Sequence, residues 1–217
     1  MTKLKGSIAE ETKKRIISSA QAVFLEKKFN EASLRQICKS AGVTTGALYC
    51  FYKDKDGLFE ELLRHFVAGF LSILEEHFYR EETSKANEDI VSREFISNFI
   101  NFREANKETS TIFLSNLDHP YCQSAQEKLV DLFSKQTKSL LKRVNNSYIT
   151  GKVFNDDTIQ WFSHLQVDML LQVLGCSLPQ EKAIEQMLIY VRFLRGGFLE
   201  LVAPRFPDKH NKSDIED

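Results

Sequence analysis

Long apolar runs, paired cysteines and glycine-rich phosphate loops are all missing from this 217-residue sequence. The longest mostly apolar stretch, residues 66–74, is much shorter than the roughly 18 residues that a membrane-spanning helix needs. The first fifteen residues carry five Lys or Arg residues and no apolar core, which is unlike a secretory signal. The four cysteines lack C-x-x-C spacing and the five histidines lack H-x-x-x-H spacing. We therefore expect a cytoplasmic protein with free thiols, no membrane segment, no metal site and no cofactor.

Helical periodicity is the dominant pattern in the sequence, and no alternating strand pattern of convincing length interrupts it. This pattern predicts an all-α fold, in which a three-helix N-terminal unit is joined by a long helix to a second helical bundle. Residues 1–7 are predicted to be a mobile basic arm, and residues 80–89 a loop. The predicted helices cover residues 8–29, 33–41, 45–52, 55–78, 88–106, 110–117, 124–149, 156–175 and 180–202.

Residues 33–55 have the pattern of a helix-turn-helix. Ser33 stands three residues before Gln36, which is the spacing of a capping box. Gly42 follows the first helix, where a residue with positive φ ends helices, and Thr44 can cap the second helix.

Charge is distributed unevenly along the chain. Residues 1–60 hold 11 Lys and Arg against 7 Asp and Glu, whereas residues 61–217 hold 18 against 23. A polyanion would be attracted by the N-terminal part and repelled by the rest. An excess of this size also arises by chance, so it supports a nucleic-acid partner only together with the motif.

The outer face of the second helix of the pair is predicted to be small and polar. Its expected outward residues are Thr44, Thr45, Gly46, Tyr49 and Cys50, while Ala47, Leu48 and Phe51 are expected to face the core. Small polar residues at the start of a helix let its backbone approach a phosphate or a base edge closely.

Residues 33–58 resemble the DNA-binding domain of the TetR family of bacterial transcriptional regulators. The matching residues are Ile37, the turn Ala41-Gly42-Val43-Thr44, Gly46, Leu48-Tyr49, Phe51-Tyr52, Lys53, Lys55 and Leu58. The resemblance implies that Thr44, Thr45, Tyr49 and Lys55 contact DNA. With the neighbouring polar and basic residues, the predicted DNA-binding set is Ser33, Arg35, Thr44, Thr45, Gly46, Tyr49, Cys50, Lys53 and Lys55.

The resemblance also implies a division of the chain into a DNA-binding domain over residues 1–54, a helical ligand-binding and dimerisation domain over residues 55–203, and a flexible tail over residues 204–217. The apolar seams of the last two helices could simply pack within one chain. Together with the resemblance, they predict a homodimer that reads a pseudo-palindromic double-stranded operator. We expect a repressor that a small apolar or aromatic effector releases. The expected ligand-binding residues are Phe99, Arg103, Phe113, Asn116, Trp161, His164, Gln166 and Asp168.

Two features of the sequence leave alternatives open. Cys50 stands where the family often has a larger polar residue, so base readout is expected to depend more on Thr45 and Arg35, and a redox role for Cys50 is conceivable. The competing function is a small helical enzyme or carrier of an apolar molecule that uses its N-terminal unit to contact a protein. Because no nucleophile elbow, P-loop or dinucleotide fingerprint is present, we expect a regulator and not an enzyme.

Overall fold

A computed structural model describes residues 2–83, 88–143 and 154–202 of the chain. Within these ranges the chain forms α-helices and one short 3₁₀ turn, without a β-strand, so the predicted all-α fold is confirmed. None of the helices in these ranges combines the length and the apolar character needed to cross a membrane. The helices are α1 (Thr2–Glu26), α2 (Leu34–Ala41), α3 (Thr45–Tyr49), α4 (Lys55–Thr83), α5 (Glu88–Ala105), α6 (Lys107–Ser115), α7 (Pro120–Arg143), α8 (Asp156–Gly175) and α9 (Gln180–Val202), and the 3₁₀ turn is Phe29–Glu31.

The N-terminal unit is held together by the apolar faces of its three helices. On α1 and α2 the buried side chains recur at three- and four-residue intervals, which is the spacing of one helix face. Short α3 contributes Leu48, which is fully buried. The buried apolar residues of α1 and α2 are Ile16, Ala20, Phe24, Ile37, Cys38 and Ala41.

Helix α4 connects this unit to the C-terminal body. Its 29 residues span about 43 Å at 1.5 Å per residue. The start of α4 buries Leu58 and Phe59 against the N-terminal helices, and its later turns bury Phe66, Phe70 and Leu74 in the body. One hydrophobic core therefore runs without a break from the three-helix unit into the body.

Several helix ends differ from their predicted positions, although α8 and α9 match theirs. Helix α1 begins at Thr2, so the predicted arm is its first two turns, because only Gly6 there disfavours a helix. Helix α3 ends at Tyr49, three residues early, and α4 continues to Thr83 into the predicted loop. Pro120 opens α7, since the first helical position needs no backbone N–H. The predicted tail, residues 204–217, lies outside the described residues.

Candidate nucleic-acid interface

The helix-turn-helix is closed by local backbone contacts. The Ser33 hydroxyl accepts a hydrogen bond from the Arg35 amide at 3.2 Å, and the Gln36 side chain accepts one from the Ser33 amide at 3.3 Å. Gly42 adopts φ 64°, the left-handed conformation that favours glycine. The Thr44 hydroxyl accepts a hydrogen bond from the Ala47 amide at 3.1 Å. The predicted capping box, helix stop and second cap are therefore confirmed.

Arg15 of α1 holds the turn between the two helices, a role that the sequence pattern does not indicate. Its Nη2 donates to the carbonyl oxygens of Ala41 and Gly42, the latter at 3.1 Å. These two carbonyls belong to the end of α2, where intrahelical partners are missing. No sequence signal identified Arg15, because a basic residue on an exposed helix face resembles any solvated lysine or arginine.

The outer face of α3 is exposed as predicted, and Leu48 forms the buried side of the helix. Tyr49 exposes 54% of its surface, and Thr45 and Gly46 are also exposed. A methyl group at Gly46 would meet only the Thr44 hydroxyl oxygen, at 3.9 Å. The described contacts of the chain thus give no packing reason for a glycine at this position.

The remaining residues of the predicted interface differ in how accessible they are. Arg35 and Lys53 are exposed, whereas Ser33 is half-buried. Cys50 is exposed at the end of α3, and its Sγ lies 3.3 Å from the Gly46 carbonyl oxygen. That contact uses the weak thiol donor, so Cys50 offers little for reading a base.

Lys55 is held by the protein itself. Its Nζ donates to the carbonyl oxygens of Phe29 and Ala32 at 2.7 and 3.1 Å, and lies 4.2 Å from the centre of the Phe29 ring. The predicted phosphate contact stays a prediction, but two of the three ammonium hydrogens are occupied by the 3₁₀ turn. The geometry therefore gives Lys55 a structural role that its position beside Lys53 did not indicate.

The aromatic pair after α3 belongs to the domain core. Tyr52 is buried and Phe51 half-buried, with their ring centres 6.4 Å apart. Burial raises the pKa of Tyr52 to about 12, with smaller contributions from Glu61 and Glu10. Tyr52 is therefore neutral at physiological pH, and its hydroxyl has no hydrogen-bond partner among the described residues.

Comparison with known proteins finds a family whose DNA-binding segment matches this part of the chain. The family model "Bacterial regulatory proteins, tetR family" matches residues 16–62, which run from α1 through the helix-turn-helix into α4. Over this segment the chain is similar to the TetR family. Its relatives include the HTH-type transcriptional regulator AcrR of Shigella flexneri, 43% identical over 54 residues, and the HTH-type transcriptional repressor BepR of Brucella suis, 40% identical over 55 residues. Each match covers 25% of this chain, and 25% of AcrR or 26% of BepR.

The TetR-family fold extends beyond the matched segment. A TetR-like transcriptional regulator from Rhodococcus sp. RHA1 superimposes with a TM-score of 0.62 at 16% identity, covering 85% of this chain and 96% of that structure. This likeness shows the fold of the body. The family consists of regulators, in agreement with the prediction that the chain is not an enzyme.

The predicted ligand residues do not converge on one cavity among the described residues. Trp161, His164 and Asp168 lie on the exposed face of α8, and Trp161 exposes 59% of its surface. Trp161 therefore contributes nothing to the interior of the single chain, because the opposite face of α8 is the buried one. Gln166 is half-buried between them. Ligand contact by these four residues stays a prediction.

The other predicted ligand residues are buried in contacts within the chain. Phe99 and Phe113 are fully buried, and Arg103 exposes 3% of its surface. The Arg103 guanidinium donates to the Leu178 carbonyl oxygen at 3.0 Å and bonds to the adjacent Glu104 carboxylate at 2.6 Å, tying α5 to the segment before α9. Asn116 is 2% exposed and hydrogen-bonded to the N-terminal unit. Their contact with a ligand also remains a prediction.

No predicted ligand residue lines either of two hollows found in the described part of the chain. An open groove of about 430 Å³ lies between α1 and α2, beside Lys14, Arg15 and Ser40. A hollow of about 10 Å³ beside His77 in the body has room for one water molecule. Phenylalanine rings fill the space between α4, α5 and α6, where Phe66 lies 5.4 Å from Phe102 and 5.4 Å from Phe113 between ring centres.

Proposed function

We propose that this TetR-family protein is a ligand-responsive transcriptional repressor. It binds a pseudo-palindromic operator as a homodimer through α3, and a small, mostly apolar effector releases it. The observation that carries the proposal is the outer face of α3, where small and polar residues are exposed to solvent. The turn before α3 and the caps of α2 and α3 are made by hydrogen bonds within the domain. The relative BepR is named a transcriptional repressor, which supports the direction of regulation.

Gly46 supports direct contact between α3 and DNA. A glycine in a helix costs about 0.5–1 kcal/mol relative to alanine, and no side chain among the described residues requires one here. An approaching duplex does require one, because a bare backbone lets phosphate or base edges come close to the first turn of the helix. Thr44, just before α3, and Tyr49, at its end, are exposed and add hydroxyl groups that can donate hydrogen bonds to the DNA.

The homodimer is supported by apolar side chains that the single chain leaves in water. Phe193 and Ile189 of α9 expose 75% and 62% of their surface, and Trp161 and Leu165 of α8 expose 59% and 42%. Large exposed apolar patches mark interaction sites. Gly196 has nothing within 4 Å of where its Cβ would stand, which allows a second copy of α9 to approach. Two-fold pairing of these helices would bring two α3 helices to successive major grooves.

The effector is proposed to bind within the body, where rings already pack against each other. Phe102 is only half-buried, and its ring edge lies 2.9 Å from where a Gly69 Cβ would stand. An apolar or aromatic molecule that takes the place of the Phe102 ring keeps the same contacts with Phe66 and Phe70. Its binding lowers DNA affinity to the extent that it prefers a body shape in which the two α3 helices are wrongly spaced.

Fluorescence anisotropy on the DNA upstream of the protein's own gene tests the proposal. We expect binding that weakens steeply with salt, because phosphate contacts release counterions. A Tyr49→Ala, Lys53→Ala double variant should lose this binding while it keeps its melting temperature, since both side chains are exposed. Lys128→Ala, which replaces an exposed lysine on α7, is the matched control and should bind normally. Equal binding by the double variant and the wild type would contradict the proposal.

A further inference from the structure

Phe29, on the 3₁₀ turn between α1 and α2, joins the DNA-binding domain to the body. Its carbonyl oxygen accepts from Lys55 at 2.7 Å, at the start of α4. Its amide points the opposite way and donates at 2.7 Å to Oδ1 of Asn116, a residue at the end of α6. The backbone of Phe29 therefore connects the N-terminal domain to the long helix α4. It also connects this domain directly to the body, through a contact that does not involve α4.

Asn116 is well suited to hold this contact in one position. Its side chain is buried, and its Nδ2 donates to the Ile112 carbonyl oxygen at 2.8 Å and to the Ser115 hydroxyl at 3.2 Å. These bonds fix the amide plane, so that Oδ1 points at the Phe29 amide. A buried amide N–H without an acceptor would be costly, so the domain cannot rotate away from Asn116 without a penalty.

His119 completes the junction three residues later. Its ring lies 4.4 Å from the Phe29 ring and 4.5 Å from the Phe59 ring between centres, and it is 7% exposed. The Tyr121 amide donates to His119 Nδ1 at 3.2 Å, which places the ring proton of the neutral imidazole on Nε2. Nε2 lies 3.3 Å from Asp56 Oδ1, in the first turn of α4.

We propose that Asn116 and His119 are positioning residues for DNA recognition. They touch no DNA, but they fix the angle of the DNA-binding domain on the body through Phe29, and thereby the spacing of the two α3 helices. The consequence for DNA rests on the proposed function, whereas the fixed angle is a property of the free protein. A change in the body that moves the end of α6 would reach the helix-turn-helix directly, without bending α4.

A distance between the two parts of the chain tests this proposal without DNA. Spin labels are placed on Cys50, exposed at the end of α3, and on Asn98→Cys, exposed on α5, in a Cys176→Ser background. Cys38 and Cys122 are buried and should not react. Labelled chain is diluted with unlabelled chain, so that only distances within one chain are recorded. The wild type should give a single narrow distance distribution.

Replacing Asn116 should release the domain. Asn116→Ala should broaden or shift the distribution, and Asn116→Leu, which fills the same volume without an acceptor, should do the same. Asn116→Asp restores an acceptor for the Phe29 amide and should return the distribution to the wild-type width. Asn101→Ala is the matched control, because Asn101 Oδ1 accepts a 2.9 Å bond from Gln180 that lies wholly within the body.

Two results would overturn the proposal. The first is a folded Asn116→Ala or Asn116→Leu protein whose distribution is as narrow as that of the wild type and of Asn101→Ala, whatever happens to its melting temperature. The second needs no variant: the Phe29 amide of the wild type should be protected from hydrogen exchange, and exchange as fast as that of exposed loop amides contradicts a fixed junction. Failure of DNA binding would overturn the proposed function and leave both measurements unaffected.

Discussion

Replacing Gly46 by alanine should make the protein more stable and its DNA binding weaker. Gly42 is the only glycine with positive φ among the described residues, so Gly46 already has a backbone conformation that alanine accepts. The new methyl group would meet only the Thr44 hydroxyl oxygen at 3.9 Å, an ordinary contact distance. Alanine also restricts the unfolded chain, which stabilises proteins by about 0.4–1 kcal/mol. For a chain of this size the melting temperature should rise by about 1–4 °C.

The same methyl group should obstruct the approach of DNA to α3. Forcing an extra methyl group into a packed contact costs about 1–3 kcal/mol. Since 1.4 kcal/mol is a factor of ten in affinity, the expected loss is about 5- to 150-fold for each half-site. A gain in stability combined with a loss of function separates a binding surface from a structural defect, because a folding defect would lower both.

Thermal unfolding and fluorescence anisotropy on the same preparation measure the two effects. Gly57→Ala is the matched control: it lies in the first turn of α4, its amide donates inward to Asp54 at 2.8 Å, and a methyl group there would meet the same carboxylate oxygen at 3.4 Å. It should leave DNA affinity unchanged. Wild-type DNA affinity in Gly46→Ala, or a lower melting temperature, would refute the reasoning about this glycine.

Three further predictions concern stability and assembly. Lys55→Met should lower the free energy of unfolding, measured in urea, by about 1–3 kcal/mol, because it removes two partly buried hydrogen bonds and a cation–π contact. The matched variant Lys53→Met, at an exposed position, should change the free energy of unfolding by less than about 0.5 kcal/mol. Burial lowers the pKa of His77 from its ordinary 6.5 to about 4, so the unfolded chain binds the proton first and stability should fall as the pH drops from 6.5 to 4. The loss is at most about 3 kcal/mol, since Glu81 lies 3.3 Å away and offsets part of it. Phe193→Glu should give a folded monomer in sedimentation at micromolar concentration, because it places a charge in the proposed interface.

Each of these predictions has a contradicting outcome. Equal unfolding free energies for Lys55→Met and the wild type would mean that the contacts of Lys55 with the 3₁₀ turn contribute nothing. A His77→Phe variant keeps a ring stacked on Phe95, and its stability should no longer fall between pH 6.5 and 4. An unchanged dependence of stability on pH would mean that another group causes it. A Phe193→Glu protein that still sediments as a dimer would exclude this face of α9 as the interface.

The helix-turn-helix could be predicted from sequence because local residues build it. Ser33 with Gln36, Gly42 and Thr44 each act within four residues along the chain, and a local signal of this kind is readable without the fold. The outward face of α3 followed from the same periodicity. Arg15 acts across the domain on the α2 carbonyls, and a contact of that kind leaves no local pattern.

The body was harder to predict because apolar periodicity does not say which face meets which partner. On α8, Ile159, Ser163 and Val167 face the core, whereas Trp161 and Leu165 face outward. Because large apolar side chains occur on both faces, hydrophobicity alone does not distinguish the inward face of α8 from the outward one. The partners of buried polar residues were unpredictable for a related reason: Arg103 and Asn116 each bond to a backbone group more than seventy residues away along the chain.

Selection from a pool of random-sequence DNA duplexes tests the central claim most directly, because it needs no knowledge of the operator. The account predicts that the wild-type protein enriches a pseudo-palindrome whose half-sites lie about one helical turn apart, roughly 10 base pairs between centres. Gly46→Ala should enrich it much less. Recovery of a pool no different from the starting one, at low salt and with folded protein, would contradict DNA recognition by α3.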